Sequence, residues 1–119
     1  MNIEEFRNYC LQKPFTTEEF PFNNETLVFK VKGKIFALTT LNKSFSINLK
    51  CTPTKALKLR EKYTAITPGF HMNKKHWNTI LVDGSFSKTD LLAWIDQSYD
   101  LVVLNLTKKE QNEILNSKS

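Results

Sequence analysis

Two runs of strand-forming residues, TLVFKVK at 26–32 and KIFALTT at 34–40, meet at Gly33, and this arrangement restricts the fold more than any other feature of the chain. Both are rich in β-branched and aromatic side chains, and a two-residue Lys32-Gly33 turn between them makes an antiparallel hairpin. The turn sets Val31 opposite Lys34 and Phe29 opposite Phe36. In that register Leu27, Phe29, Val31, Phe36 and Leu38 share one face, while Lys30, Ala37 and Thr39 lie on the other beside Val28 and Ile35. After a turn at Asn42-Lys43-Ser44 a third run alternates, with Phe45, Ile47 and Leu49 pointing one way and Ser46, Asn48 and Lys50 the other. Such period-two alternation argues an antiparallel sheet with one covered face.

The rest of the chain supplies the cover. Asn2 with Glu5 marks a helix start, Ile3, Phe6 and Cys10 recur at helical spacing to about Lys13, and Pro14 ends the helix. Residues 14–25 read as a connecting loop whose Phe15, Phe20 and Phe22 pack back on the body. Thr52 and Pro53 open a second helix as N-cap and first helical residue. Ala56, Leu59 and Tyr63, helped by Leu57, form its buried side, and Lys55, Lys58 and Lys62 a solvated stripe. Residues 64–67 and 77–82 are a fourth and a fifth strand. Ser87 with Asp90 starts a helix that reaches about Leu104, and Thr107 with Glu110 starts a short last one around Ile114 and Leu115. The expected fold is therefore one α+β domain spanning residues 1–119. It is a two-layer sandwich in the order α-β3-α-β2-α, with a five-stranded antiparallel sheet and the helices at 2–13 and 88–104 over Phe29, Phe36 and Ile47. At 119 residues such a domain buries about two thirds of its unfolded surface and needs no metal or disulfide.

Charge is segregated along the chain. Residues 26–80 hold eleven basic side chains and one acid, Glu61, whereas residues 1–25 hold two basic and five acidic, and residues 81–119 four and six. A basic segment of this kind is the footprint expected for a polyanionic partner such as DNA, set against the plainer reading of a solvated, lysine-rich surface. Cys10 and Cys51 form no CxxC pair and read as buried thiols of a reducing compartment. No apolar run approaches the ~20 residues of a membrane span, and the first residues lack the layout of a signal peptide. A cytoplasmic monomer without membrane contact or cofactor is expected.

The stretch PGFHMNKKHWNTI at 68–80 concentrates the versatile side chains: both histidines, Trp77, Asn73, Asn78 and the adjacent Lys74 and Lys75. It runs from the turn pair Pro68-Gly69 into β-branched strand residues, so the polar cluster falls where a loop enters a strand. Asn73, Lys74 and Lys75 are assigned to ligand contact, because a loop is best exposed there. Trp77 is assigned to the scaffold, where buried tryptophans more often belong. His71 and His76 sit at the boundary, and the plain reading is that they hydrogen-bond nearby backbone and hold the loop. Five apart, with no cysteine or carboxylate close by, they meet no recognised zinc pattern. A pairing of Cys51 with a histidine as nucleophile and base has no sequence support.

FPF followed by TLVFKV, GK and FAL, then NLKC, LRE, PGFHMNKKHWNT and SYDLVV, in this order and spacing, resembles the MmcQ/YjbR family of small bacterial proteins. The resemblance covers roughly residues 1–106, and its HMNKKHWN core is specific. It implies a CyaY-like, two-layer α/β fold with an antiparallel sheet, in agreement with the element order above, and a proposed "double wing" mode of DNA binding. Phe70 stands where the family often has tyrosine, so a role for that phenol does not carry over.

The function expected is DNA binding, or binding of another nucleic acid, without enzymatic activity. The candidate contacts are Lys30, Lys50, Arg60, His71, Asn73, Lys74, Lys75, His76 and Asn78. Lysines would neutralise phosphates, the amides would hydrogen-bond sugar, phosphate or base edges, and Phe70 or Trp77 could stack on a base. The alternative is a non-enzymatic adaptor for an acidic protein or a small anionic ligand, since lysine and arginine serve carboxylate and phosphate alike. An iron role would want a clustered acidic surface, which four N-terminal glutamates do not supply.

Overall fold

The structure, a computed structural model, describes residues 1–41, 44–70 and 72–117. Asn2 and Glu5 form the reciprocal cap expected of them and start α1 (Ile3–Leu11). Four strands follow, β1 (Thr16–Glu19), β2 (Thr26–Val31), β3 (Lys34–Thr40) and β4 (Ser46–Lys50). Then come α2 (Pro53–Lys62), β5 (Ile66–Pro68), β6 (Trp77–Leu81), α3 (Lys88–Val103) and α4 (Lys108–Ser117). Among the described residues the six strands form one antiparallel sheet in the order β1-β2-β3-β4-β6-β5.

The expected five strands are short by one. Residues 16–19 pair along β2 from Thr16 opposite Val31 to Glu19 opposite Val28, where a loop was expected. Their sequence, TTEE, has no apolar alternation, so pairing with β2 and not burial makes them extended. Ion pairs from Glu18 to Arg7 and from Glu19 to Lys30 dock the segment.

The hairpin forms around Gly33, whose φ of +83° suits glycine. Val31 faces Lys34 as expected, but a register shift between Phe29 and Lys30 places Phe29 opposite Ala37. The shift is a β-bulge at Phe36, and it exchanges the faces of every residue beyond it. Ala37 and Thr39 therefore join the covered side, and Leu38 pairs with Val28 and Asn48 on the other. Phe36 stays on the covered side, edge-on to Tyr99 of α3 at 5.1 Å.

Two rows of cross-strand neighbours define the covered face: Leu27, Thr39, Ile47, Ile80 and Ile66, then Phe29, Ala37, Leu49 and Asn78. Against them α1 places Phe6, edge-on to Phe29 at 5.5 Å, and Cys10. From α3 come Leu91, Ile95, Tyr99 and Val102, and from α4 Ile114. Leu57 and Leu115 point to solvent instead of packing with Ala56 and Ile114, and Phe15, Phe20 and Phe22 are exposed where they were expected to pack back on the body. The predicted turn at Asn42-Lys43-Ser44 lies partly outside the described residues.

Candidate functional site

The loop between β5 and β6 is built on a close approach. Gly69 donates its N–H to the carbonyl of Trp77 at 2.8 Å, and a Cβ on it would stand 2.7 Å from the Trp77 Cβ and 3.0 Å from that carbonyl oxygen. Only glycine fits there. Asn73 then closes a tight turn twice over. Its backbone carbonyl accepts from His76 and Trp77 at 3.2 and 2.9 Å, and its side-chain Oδ1 accepts from the N–H of Lys75 at 2.9 Å. Asn73, Lys74 and Lys75 are exposed, with the Lys74 ammonium resting on the Gly69 carbonyl at 3.0 Å.

The end of β4 lies alongside. Lys50 is opposite Trp77 in the ladder, and Cys51 donates its N–H to the His76 carbonyl at 2.7 Å. Lys50, Asn73, Lys74, Lys75 and half-buried His76 are thus brought to one end of the sheet. Among the described residues no carboxylate lies within ion-pair reach of Lys50, Lys74 or Lys75. Lys30 stands two strands away on β2, paired with Glu19. His71 lies outside the described residues.

Arg60 and Asn78 turn inward. Arg60 reaches from α2 with Nε on Asn78 Oδ1 at 2.6 Å and Nη2 on the carbonyls of Lys74 and Trp77, the latter at 3.3 Å. Asn78 is 1% exposed and donates its Nδ2 to the Ala56 carbonyl at 3.3 Å. These two side chains hold the underside of the turn that displays the lysines. Trp77 is 9% exposed and shares the face of Lys50 and Thr79, opposite to that of Asn78 and Ile80. It is scaffold, but on the side away from the helices. Burial raises the Cys51 thiol above its usual range and the Cys10 thiol further, so both are thiols and not thiolates at neutral pH. Among the described residues no three His, Cys, Asp or Glu side chains gather where they could hold a metal, and no helix is long and apolar enough to cross a membrane.

The face away from the helices also carries a cleft of about 440 Å³ that the sequence reading did not single out. Phe22, Phe70 and Met72 wall it, and Thr26, Thr40 and Asn48 lie beneath. The available signal was the unusual aromatic content of residues 14–25. The bulge at Phe36 hid the rest, because it moves Leu38 and Thr40 onto this face.

Residues 11–101 match the model of the YjbR family. The chain is 38% identical over 112 residues to YbdF of Escherichia coli O157:H7, covering 93% of this chain and 92% of that one. It is 30% identical to YjbR of Escherichia coli K12, covering 97% and 98%. In three dimensions it is similar to the crystal structure of Deinococcus radiodurans protein DR2400, of the domain DUF419. The TM-score there is 0.90 at 37% identity, covering 95% of this chain and 87% of that one. A crystal structure from Pseudomonas syringae matches with a TM-score of 0.74 at 29% identity, over 85% of this chain and 98% of that one.

Proposed function

The chain belongs to the YjbR family, and from that premise we propose that it is a non-enzymatic DNA-binding module. Its contact surface is the 73–77 turn with the adjoining end of β4. The observation that carries this reading is the uncompensated charge of Lys50, Lys74 and Lys75 on a turn braced from behind by Arg60 and Asn78. Lysines held on a rigid turn neutralise phosphates with less loss of side-chain and loop freedom than lysines on a mobile loop. Asn73 and His76 flank them and offer hydrogen bonds to the sugar–phosphate chain. Arg60 acts through the turn, since its fork is engaged with Asn78 and two carbonyls. Lys30 stands outside this contact surface, its charge offset by the ion pair with Glu19.

The test is a titration of labelled duplex DNA followed by anisotropy over a range of salt concentrations. Binding that weakens linearly on a log–log plot is expected, with a slope of about −0.9 for each phosphate neutralised. Absence of binding at low salt overturns the reading. Binding of polyglutamate but not of DNA would transfer the surface to the adaptor role.

A further inference from the structure

The cleft on the open face has the volume of a small-ligand site, and its chemistry is specific. Phe22 and Phe70 are 66% and 62% exposed, so two aromatic rings and the thioether of Met72 border it with little cover. Beneath them a hydrogen-bond chain runs in one direction. The Phe70 N–H donates to Thr79 Oγ1 at 2.9 Å, and the Thr79 hydroxyl donates to Asn48 Oδ1 at 2.5 Å. With its oxygen engaged, Asn48 has only Nδ2 left to offer the cleft, and among the described residues nothing accepts from that nitrogen. The side chain is 7% exposed, so a donor sits almost enclosed at the floor of an aromatic-walled cleft. A ligand with a flat π-face and a ring carbonyl or ring nitrogen fits both features.

The position relative to the lysines narrows the class further. Lys50 follows Asn48 by two residues on the same face of β4, a separation of about 7 Å, which a nucleotide spans from ring to phosphate. Phe70 and Met72 belong to the loop that continues into Asn73, Lys74 and Lys75. We infer that the cleft receives one unpaired nucleobase whose phosphate lies on Lys50 and the 73–77 turn, so that this protein prefers single-stranded nucleic acid. A base inside a duplex is covered on both faces by its neighbours and cannot enter. The inference rests on the lysine surface proposed above.

Anisotropy with three labelled probes at low salt separates the two claims: a thymidine oligomer of about ten nucleotides, within the span of known single-strand sites, an abasic oligomer of equal length, and a duplex. The thymidine oligomer should bind at least about tenfold more tightly than the abasic one. Phe70→Ala should abolish that advantage and leave abasic affinity unchanged. Phe22→Ala tests the opposite wall, and a melt of each variant shows that it is folded. If thymidine and abasic oligomers bind alike and neither phenylalanine variant changes this, the base site is overturned while the lysine surface stands. If none of the three probes binds, both fall.

Discussion

Arg60 and Asn78, eighteen residues apart, are joined by a 2.6 Å hydrogen bond from Nε to Oδ1, and the asparagine has its other end on the Ala56 carbonyl. A charged fork, a buried amide and three backbone carbonyls thus form one bonded unit between α2 and the 73–77 turn. Removing one member strands the others. Asn78→Ala is expected to cost about 2–3 kcal/mol, the range for a hydrogen bond to a charged group plus an unsatisfied buried donor or acceptor. Arg60→Lys should recover little of the loss seen in Arg60→Ala, because an ammonium cannot reach the amide and two carbonyls in one plane. Urea denaturation of the three variants measures this, and parent-like midpoints would show that the unit does not hold the turn.

The lysines above that unit should behave in the opposite way. Lys74→Ala and Lys75→Ala are expected to stay within about 0.5 kcal/mol of the parent in stability. Each should make the salt slope of DNA binding shallower by about one unit if it meets a phosphate. A folded Arg60→Ala should leave the slope unchanged. Salt titrations on the three variants decide the matter, and a slope change in Arg60→Ala alone would reverse the assignment.

Gly69 and Trp77 make a second stability test. Trp77→Ala is expected to cost about 3–5 kcal/mol, the range for truncating a buried aromatic. Gly69→Ala adds one methyl group against a Cβ and a backbone carbonyl that cannot swing aside, and is expected to cost about 1–3 kcal/mol. Combining the two should bring no relief, since alanine at 77 keeps the offending Cβ. Thermal melts of the single and double variants provide the readout, and a parent-like Gly69→Ala would refute the close approach.

Tyr99 donates its hydroxyl to the Pro14 carbonyl at 2.6 Å, and burial with the nearby Asp100 pushes its phenol from 10.0 up to about 12. The folded state keeps the proton where the unfolded chain loses it. Stability from this group is therefore complete below pH ~10 and is lost as pH rises from there through the folded value. Tyr99→Phe should cost about 1 kcal/mol at neutral pH through the lost hydrogen bond, yet its stability should fall less steeply than the parent's between pH ~10 and ~12. Tyr9, held high by burial and by Asp96, titrates in both proteins and cancels in the comparison.

The elements that announced themselves in the sequence did so through patterns read over several residues. The Asn2–Glu5 and Thr107–Glu110 caps, the Gly33 hairpin and the alternation of Phe45, Ile47 and Leu49 all follow from local chemistry. The bulge at Phe36 did not, because Ile35, Phe36, Ala37 and Leu38 are a continuous apolar run whose alternation supports two registers equally. Nor did β1, whose TTEE is extended only because β2 offers a partner. In the candidate site, the exposure of Asn73, Lys74 and Lys75 followed from loop chemistry. The inward turn of Arg60 and Asn78 did not, since it depends on where α2 crosses β6, a tertiary fact with no local signature.

The strand order carries one more consequence, for how copies of this chain meet. Its outer members are β1 and β5, and unpaired rims of a sheet invite strands of other molecules to add on. Both rims here are blunted by different means. On β1 the run is four residues long and holds Glu18 and Glu19, tied to Arg7 and Lys30, so an identical strand approaching in register would set carboxylates beside carboxylates. On β5 the run is three residues and closes on Pro68, which has no N–H to give. Cross-β stacking of the folded protein is thereby disfavoured from either side, and a broad six-stranded sheet can leave much of one face without helices and not polymerise through its edges.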